Sequence, residues 1–327
     1  MRRVLYVGDP HARPEDLEDC LCLVSQVVTL AEDRDVDRIV ILGDLHHTHA
    51  LAHTDVTAFW RESLVRLVAD DITVTLLVGN HDQPGDEASK SHALLAYKDM
   101  RHVVVVDEPM EFRGILYLPY IHRPEDFVAA CRANPVRTVV CHQTFNGAKY
   151  ENSFYAKDGV EPSAIPQVAV ISGHIHEPQE FDKVRYLGSP RWLATSDANR
   201  QRFIHVVEHN DIGDVVSVTP IPSACRQIVQ IVDTPEAPWD RQGSISSNAK
   251  YLVDITGPAA WITERLPLYA GWARVRTSRT DQAQARVRES EGLPAAMKRY
   301  LAGYKATRGT PSEVLEGFVR DRISFAV

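Results

Sequence analysis

The sequence predicts a layered α/β fold, in which stacked β-sheets are flanked by helices, followed by a small α+β domain. Uninterrupted apolar runs such as residues 39–42 indicate strands that are buried on both faces, as in parallel sheets. Segments with the apolar spacing of amphipathic helices alternate with these runs, which is the succession found in βαβ units. The 327 residues suffice for about two domains with well-buried cores.

The first hundred residues show this alternation most clearly. A first strand covers 3–8, and a helix begins at Pro14, because proline and acidic residues favour the first turn of a helix. The remaining elements of this region are predicted as strands at 39–42 and 72–78 and as helices at 14–32, 55–69 and 88–98.

Residues 103–208 contain further strands. Those at 103–106 and 115–118 are expected to belong to a second sheet. The other elements predicted here are a helix at 124–133 and strands at 137–142, 168–173, 184–187 and 203–208. The polar stretch 143–166 has no periodicity and is long for a simple connection, so we expect a functional loop.

The character of the chain changes near Pro220 and Pro222, where we place a domain boundary. We expect a first domain over 1–220, a capping domain over 221–290 and a C-terminal helical segment over 291–327. The predicted elements after the boundary are strands at 251–255 and 272–276 and helices at 259–266, 294–305 and 311–324. The apolar stripe of 311–324 could dock a partner or pack on its own domain.

The composition is that of a globular protein and carries no membrane or export signal. Apolar residues make up 44% of the chain and charged residues 24%. No apolar run approaches the ~18 residues of a membrane span. The five cysteines form no C-x-x-C pair, which indicates reduced thiols in a cytoplasmic protein. The net charge of −8 excludes a generally basic protein, although the region after residue 220 is mildly basic.

Donor side chains of the kind that bind metals follow five of the predicted strands. They are Asp9 and His11, Asp44, Asn80 and His81, His142, and His174 and His176. Ligands bind at the carboxyl ends of strands in open α/β sheets, so these side chains are expected to meet at one edge. Oxygen and imidazole donors without thiolates suit Mn²⁺, Fe²⁺ or Zn²⁺.

Each of these motifs also has a structural explanation when it is taken alone. The carboxylate of Asp44 could cap the next helix, and a single histidine at the end of a strand is usually a satisfied core or surface residue. In the Asp-x-His and His-x-His motifs, however, alternate residues lie on one side of an extended segment and can converge on one ion. Five strand ends together therefore favour a metal site.

Taken in order, the motifs D-x-H, G-D, G-N-H-D, a strand-end histidine and G-H-x-H resemble those of the calcineurin-like metallophosphoesterase superfamily. The resemblance covers residues 1 to about 210 and implies that superfamily's layered β-sheet sandwich. Gly43-Asp44-Leu45-His46-His47 is similar to the G-D-L-F-H motif of SbcD-type DNA repair nucleases, except that His46 replaces phenylalanine. The G-D-x-x-D-R-G motif of Ser/Thr protein phosphatases is absent.

The resemblance implies two divalent metal ions that share Asp44. One ion would be held by Asp9, His11, Asp44 and His176, and the other by Asp44, Asn80, His142 and His174. Mn²⁺ is the implied metal, with Mg²⁺, Fe²⁺ and Zn²⁺ as alternatives. A carboxylate shared by two cations screens their repulsion, and a water between them is expected to lose a proton and become the nucleophile.

Three further residues receive expected catalytic roles. His81 would act as general acid for the leaving oxygen, since imidazole titrates in the useful range. Asp82 would orient His81, and His47 would steady the phosphate. His46, His49 and His53 lie close enough in sequence for a substrate contact to be considered.

The resemblance also suggests partners. It implies DNA as substrate, an SbcC-like SMC-family ATPase as partner and a homodimer, with no association with membranes. Arg274, Arg276 and Arg279, which belong to a basic run that continues to Arg286 and Arg288, are candidates for phosphate contacts, although a solvated face explains them equally well.

The sequence therefore indicates a two-metal phosphodiesterase, and specifically a DNA exonuclease or endonuclease subunit of the SbcD type. Two other functions stay open. The first is a phosphodiesterase or phosphatase that acts on small molecules such as cyclic nucleotides. The second is a scaffold subunit whose metal site is catalytically silent.

Overall fold

The computed structural model describes residues 1–49, 51–85, 90–150, 154–240 and 245–281. The chain divides into two compact units. The first holds Met1–Gln230 and Gly243–Leu252, and the second holds Ile231–Gln242 and the residues from Val253 onward.

A first six-stranded sheet has a parallel centre and two antiparallel strands on one side. Its strands are β1 (Arg2–Val7), β2 (Arg38–Ile41), β3 (Thr73–Leu77), β4 (Val103–Val106), β11 (Phe203–His209) and β12 (Val215–Pro222). Their order in the sheet is β12-β11-β1-β2-β3-β4. The pairs from β1 to β4 are parallel, whereas β11 runs antiparallel to β1 and to β12.

A second sheet also has six strands and a parallel centre. Its strands are β5 (Met110–Phe112), β6 (Ile115–Leu118), β7 (Thr138–His142), β8 (Ala169–Gly173), β9 (Gln179–Phe181) and β10 (Val184–Tyr186). The order is β5-β6-β7-β8-β10-β9, with four parallel strands between antiparallel edges.

Three helices cover the outer faces of the two sheets. They are α1 (Leu17–Asp33), which follows a 3-10 turn at Pro14–Asp16, α2 (Thr54–Leu67) and α3 (Pro124–Ala133). Pro124 occupies the first turn of α3 together with two acidic residues, as the sequence predicts for a helix start.

Alternation along β1 shows how the layers are held together. Leu5 and Val7 pack in a core with residues of α1 and α2, such as Val24 and Trp60. Val4 and Tyr6 point to the other face and pack in a core with residues of β6 and β7 between the sheets. A third core joins α3 to the outer face of the second sheet. The result is the predicted helix–sheet–sheet–helix sandwich.

Two predicted elements differ from the structure. Residues 103–106 belong to the first sheet rather than the second, because Val103 pairs in parallel with Val74 at its edge. The helix predicted at 88–98 is a short 3-10 helix, Ala93–Tyr97, among the residues described there. Leu94 and Tyr97 are both buried, and their spacing of three residues suits a 3-10 turn.

The domain boundary expected near residue 220 falls inside β12. This strand pairs with β11 as far as Pro222, which lies opposite Phe203. Prolines are tolerated there because β12 is an edge strand. The first compact unit continues to Gln230, about ten residues beyond the expected boundary.

After the boundary, a third sheet has the order β13-β14-β15. Its strands are β13 (Gln227–Asp233), β14 (Ala249–Gly257) and β15 (Ala273–Arg279), and α4 (Ala259–Arg265) lies between the last two in sequence. The predicted strand–helix–strand succession is therefore present. The helices predicted at 294–305 and 311–324, with Arg286 and Arg288, lie outside the described residues.

Candidate metal centre

The parallel strands of both sheets deliver polar side chains to one place. Asp9 and His11 follow β1, Asp44 follows β2, and Asn80 and His81 follow β3. From the second sheet, His142 ends β7, and His174 and His176 follow β8. The contacts below show that all the predicted ligands meet at the carboxyl edge of the strands.

Glycines allow the strand ends to approach one another. Gly43 has a φ of +113°, a backbone conformation that residues with a side chain rarely adopt. A Cβ atom on Gly79 would lie 2.1 Å from Oδ1 of Asp44. A Cβ atom on Gly173 would lie 2.4 Å from Oδ1 of Asp9. The space beside Gly79 and Gly173 is filled by carboxylates of the site, and the space beside Gly43 by the ring of His142.

Asp44 lies at the centre of the cluster and is 1% exposed. Its Oδ1 accepts the backbone N–H of His81 at 2.8 Å. Its Oδ2 lies 3.4 Å from Nε2 of His11 and 3.3 Å from Nε2 of His142. One carboxylate oxygen thus faces ligands from both predicted sets.

The first set surrounds Asp9. Oδ2 of Asp9 accepts the backbone N–H of His174 at 2.7 Å and lies 3.8 Å from Nε2 of His176. Oδ1 of Asp9 is buried and has no hydrogen-bond partner among the described residues. Nε2 of His11 lies only 2.9 Å from Nε2 of His176.

The second set surrounds Asn80. Its Oδ1 lies 2.9 Å from Nε2 of His142 and 2.8 Å from Nδ1 of His174. On the other side of the ring, Nδ1 of His142 donates to the carbonyl of Leu42 at 2.7 Å. This bond fixes the tautomer and points the Nε2 lone pair of a neutral imidazole into the cluster.

These residues fit divalent cations. Nε2 of His142 and Oδ1 of Asn80 lie 2.9 Å apart, and so do the two Nε2 atoms of His11 and His176, so each pair needs a proton or a cation between its two atoms. The unpaired Oδ1 of Asp9 adds a buried negative charge without a donor. A cation in each set would relieve all of these contacts, because it accepts lone pairs from every donor at once.

The charges of the cluster shift the pKa values of its members. Burial lowers the pKa of His142, but Asp44 and Asp9 outweigh that effect and raise it to about 9. Burial raises the pKa of Asp44, but His142, His11 and His81 hold it well below its usual range. For Asp9 burial prevails and raises the pKa to about 6. Strong shifts of opposite sign in one cluster are typical of functional sites.

His81 and His47 lie beside the predicted ligands. Nδ1 of His81 donates to the carbonyl of His47, so the other ring nitrogen, Nε2, takes no part in this bond. The rings of His47 and His81 are stacked with centroids 5.6 Å apart. Nδ1 of His47 is 3.5 Å from Nη2 of Arg13, and burial together with the Arg13 charge lowers the pKa of His47 to about 4.

Asp82 is placed differently from the expectation. Its Oδ1 accepts the backbone N–H of His46 at 3.1 Å, and its Oδ2 accepts that of Gly79 at 3.0 Å. The bond that orients His81 comes instead from the carbonyl of His47. Asp82 is buried and links the β2 and β3 loops, and among the described residues no hydrogen bond joins its side chain to His81.

His46, the departure from the SbcD-type motif, is 2% exposed and lies within hydrogen-bond distance of the Tyr97 hydroxyl, at 3.1 Å. It therefore faces the core and not a substrate.

The sequence left open whether His49 contacts a substrate, and the ring centroid of His49 is 3.8 Å from that of His81. Sequence reasoning missed Arg13 and also Tyr120, whose ring centroid is 5.6 Å from that of His174. The only sequence signal for Arg13 is its place two residues after His11.

The three arginines proposed to contact DNA are exposed on β15. Arg276 forms a bidentate ion pair with Asp254, with distances of 2.6 and 2.8 Å. Arg274 and Arg279 are exposed on the same strand.

All five cysteines are free thiols. Among the described residues, no helix has the length and apolarity that crossing a membrane requires.

Comparisons with known proteins extend these observations. The family model of the calcineurin-like phosphoesterases matches residues 2–233. A candidate phosphoesterase of Invertebrate iridescent virus 3 is 28% identical over 200 residues, which are 57% of this chain and 56% of the viral protein. The chain thus spans little more than half of that relative.

The names of two further relatives refer to DNA repair and to exonuclease activity. The DNA double-strand break repair protein Mre11 of Halobacterium salinarum is 27% identical over 288 residues, 80% of this chain and 73% of that protein. Exonuclease subunit 1 of Enterobacteria phage T4 is 24% identical over 199 residues, 55% of each chain. With its family match, its layered fold and its cluster of carboxylate and imidazole ligands, the chain belongs to the calcineurin-like phosphoesterases, which are metal-dependent hydrolases.

Proposed function

We propose that this protein is a two-metal DNA nuclease subunit of the SbcD type. The observation that carries the proposal is the position of Asp44, whose Oδ2 lies 3.3–3.4 Å from imidazoles of both ligand sets. The names of the Mre11 and phage T4 relatives support DNA as the substrate.

The proposed ligands are those the sequence suggested. Asp9, His11, Asp44 and His176 would hold one ion, and Asp44, Asn80, His142 and His174 the other; we propose Mn²⁺ for both. When bound, such ions lower the pKa of a coordinated water and polarise the phosphodiester. Asn80 contributes a neutral oxygen, which limits the negative charge that an approaching phosphate meets.

His81 is proposed as the general acid. The carbonyl of His47 holds the Nδ1–H, so Nε2 is the atom that can carry a proton to the leaving sugar oxygen. The backbone N–H of His81 is also bonded to Asp44. The backbone of His81 is therefore held against the carboxylate that both ligand sets share.

His47 and Arg13 are proposed to contact the scissile phosphate. The two side chains lie within 3.5 Å of each other beside His11 and His81. A guanidinium with its planar N–H groups suits phosphate oxygens, and an imidazole N–H adds a further donor. Asp82 would act through the backbone of Gly79 and His46 rather than on the substrate.

Partners are proposed on the same basis. We propose an SbcC-like SMC-family ATPase as the regulatory partner, a homodimer as the assembly, and residues 291–327 as the docking segment. The phage T4 relative is named as a subunit, which supports an assembly of this kind. Arg274, Arg276 and Arg279 are the proposed DNA contacts of the second unit.

The test is incubation of purified protein with duplex and single-stranded DNA in Mn²⁺, Mg²⁺ or EDTA, with and without a candidate ATPase. We expect degradation in Mn²⁺ and none in EDTA. Hydrolysis of bis(p-nitrophenyl) phosphate with no cleavage of either DNA under any condition would contradict the nuclease proposal.

That outcome would favour a second candidate function, a small-molecule phosphodiesterase. One observation supports it: every proposed metal ligand belongs to the first unit, Met1–Gln230, so the cluster does not draw on the second unit. Cyclic nucleotides are the substrates with which to test this candidate.

A further inference from the structure

We infer that a basic pocket at the amino ends of the parallel strands binds a phosphate group, at the opposite edge of the sheets from the metal centre. The pocket has a volume of about 150 Å³. It lies where β1, β2, β3 and β6 begin, and its walls include Arg2, Arg38, Arg113, Phe112 and Tyr117. This inference is independent of the proposed nuclease function.

Positive charge exceeds negative charge in the lining of this pocket. Three arginines line it, and Asp37 is its one acidic residue. Oδ2 of Asp37 already accepts the backbone N–H of Arg3 at 2.8 Å. Across the described residues, no carboxylate lies within ion-pair distance of Arg2, Arg38 or Arg113. The three arginines therefore have no ion-pair partner among the described residues, and they outnumber the one carboxylate of the lining.

Two of these cations share one aromatic ring. The guanidinium carbon of Arg38 is 4.2 Å from the centroid of Phe112, and that of Arg113 is 5.1 Å from it. Cation–π attraction holds each of them, but the two like charges repel each other. Burial lowers the pKa of Arg38, and repulsion by Arg113 adds to this effect, although Tyr117 acts in the opposite direction. An anion bound near both guanidinium groups would relieve both costs.

The neighbouring side chains hold these cations in position. Nη1 of Arg38 donates to the hydroxyl of Thr75. Nη2 of Arg2 donates to the carbonyls of Arg113 at 3.1 Å and Asn210 at 2.9 Å. The Nε and Nη1 groups of Arg2 have no hydrogen-bond partner in the described part of the chain. The site is thus pre-organised, and donors remain for a ligand.

The chemistry selects a phosphate group. Arginine forks match tetrahedral oxyanions through paired N–H···O bonds, and three of them around one small cavity favour a dianion over a carboxylate. Inorganic phosphate and the phosphate of a 5′-mononucleotide both carry this group. Because the phosphate is the recognised part, a nucleoside without phosphate should not bind.

Isothermal titration of the full chain in EDTA tests the inference, because removing divalent cations silences phosphate binding at the metal centre. The ligands are inorganic phosphate, deoxyadenosine 5′-monophosphate and deoxyadenosine. We expect saturable binding of the first two at one site per chain and none of the nucleoside. Absence of saturation by either phosphate up to about 10 mM would overturn the inference.

Variants locate the binding. Arg38→Gln and Arg113→Gln should each weaken phosphate binding by about tenfold or more, roughly the loss of one charge-assisted contact. Arg61→Gln is the matched control, since Arg61 is exposed and paired with Asp99 on another face, and it should bind as the unaltered protein does. Arg113 is exposed, so its variant stays informative even if Arg38→Gln unfolds. Equal affinity in Arg113→Gln and the control would refute the assignment.

Discussion

At the scale of single residues, Asp44 shows how neighbours decide the state of a buried carboxylate. A charge that is 1% exposed is unfavourable unless positive groups surround it. Imidazoles of His11 and His142 and the backbone N–H of His81 do so here. The same surroundings make Asp44 a ligand that two cations can share, which a helix-capping role would not require.

His81→Ala is the substitution that separates proton transfer from metal binding. We expect cleavage of DNA to fall by about 10²–10⁴, because the alkoxide leaving group needs a proton. The metal content of the purified variant should not change, since His81 is outside both ligand sets. Activity on DNA and metal content, measured by plasma mass spectrometry, check this.

A substrate with an acidic leaving group provides the control for that prediction. Bis(p-nitrophenyl) phosphate releases a stable phenolate, so its hydrolysis should suffer much less in His81→Ala than cleavage of DNA does. An equal loss on both substrates would argue that His81 positions the site and does not donate the proton.

Asp82 marks what the sequence could not predict at this scale. Its place next to His81 in G-N-H-D suggested that it orients the imidazole. Side chains of adjacent residues in a turn diverge, and Asp82 turns inward to the backbone N–H groups of Gly79 and His46. The sequence identifies donor types at strand ends, but not which way each turn directs them.

At the scale of elements, the β3 loop needs a residue without a side chain beside Asp44. In Gly79→Ala the new Cβ atom would meet Oδ1 of Asp44 at 2.1 Å. Since the carboxylate must move, we expect metal binding to weaken by at least about tenfold, equivalent to about 1.4 kcal/mol. Titration with Mn²⁺ measures the change.

Gly85→Ala is the control for this substitution. Gly85 has a positive φ, of +52°, unlike Gly79, and no atom lies within 4 Å of the position of its Cβ. The control therefore introduces a methyl group and backbone strain without touching Asp44, and it should retain Mn²⁺ affinity. Loss of affinity in both variants would show that contact with Asp44 is not the cause.

A buried carboxylate also organises the second unit. Asp233 accepts hydrogen bonds from Nε of Arg265 at 2.7 Å, from the hydroxyl of Tyr269 and from the backbone N–H of Trp239 at 3.0 Å. Burial raises the pKa of Asp233, but these bonds together outweigh it and lower the pKa below its usual value. The ionised form is thus stabilised in the folded state.

The sign of the resulting pH dependence follows from the lowered pKa. The carboxylate contributes to stability above its unfolded pKa of about 3.9, and that contribution is lost as the pH falls through the lower pKa of the folded state. Asp233→Asn should therefore reduce the free energy of unfolding by about 1.5–3 kcal/mol at pH 7 and by much less near pH 3. Urea unfolding at both pH values, followed by tryptophan fluorescence, checks this; an equal deficit at both would contradict it.

The predicted elements were most accurate where the periodicity was strong. The buried strands and the helices α1, α2 and α3 could be predicted because their apolar patterns have a single interpretation. The sheet to which Val103–Val106 belongs could not be predicted, because the apolar pattern of a strand does not indicate which strand pairs with it. The boundary expected near 220 lies inside β12, because prolines on an edge strand look like prolines in a linker.

At the scale of the whole molecule, the layered fold explains why residues 165 positions apart can share a cation. Two sheets stacked face to face direct the carboxyl ends of β1 and β8 to one edge, so His11 meets His176. This convergence could be predicted from sequence, because parallel strands have a common polarity. The pocket at the amino ends could not, since its arginines have no motif.

Removal of metal is therefore expected to affect the stability of the first unit as well as its activity. Without cations, the close pairs of His11 with His176 and of Asn80 with His142 each need a proton between their facing atoms, and the carboxylates of Asp9 and Asp44 stay buried together. Cations bind the folded site and not the unfolded chain, so Mn²⁺ at about 100 times its dissociation constant should add about 2.7 kcal/mol. For a unit of this size the Tm should rise by roughly 5 °C or more on Mn²⁺ addition to EDTA-treated protein, as calorimetry would show. Asp44→Asn, which removes the charge shared by both sets, should abolish most of this increase; an equal increase in that variant would place the bound Mn²⁺ elsewhere.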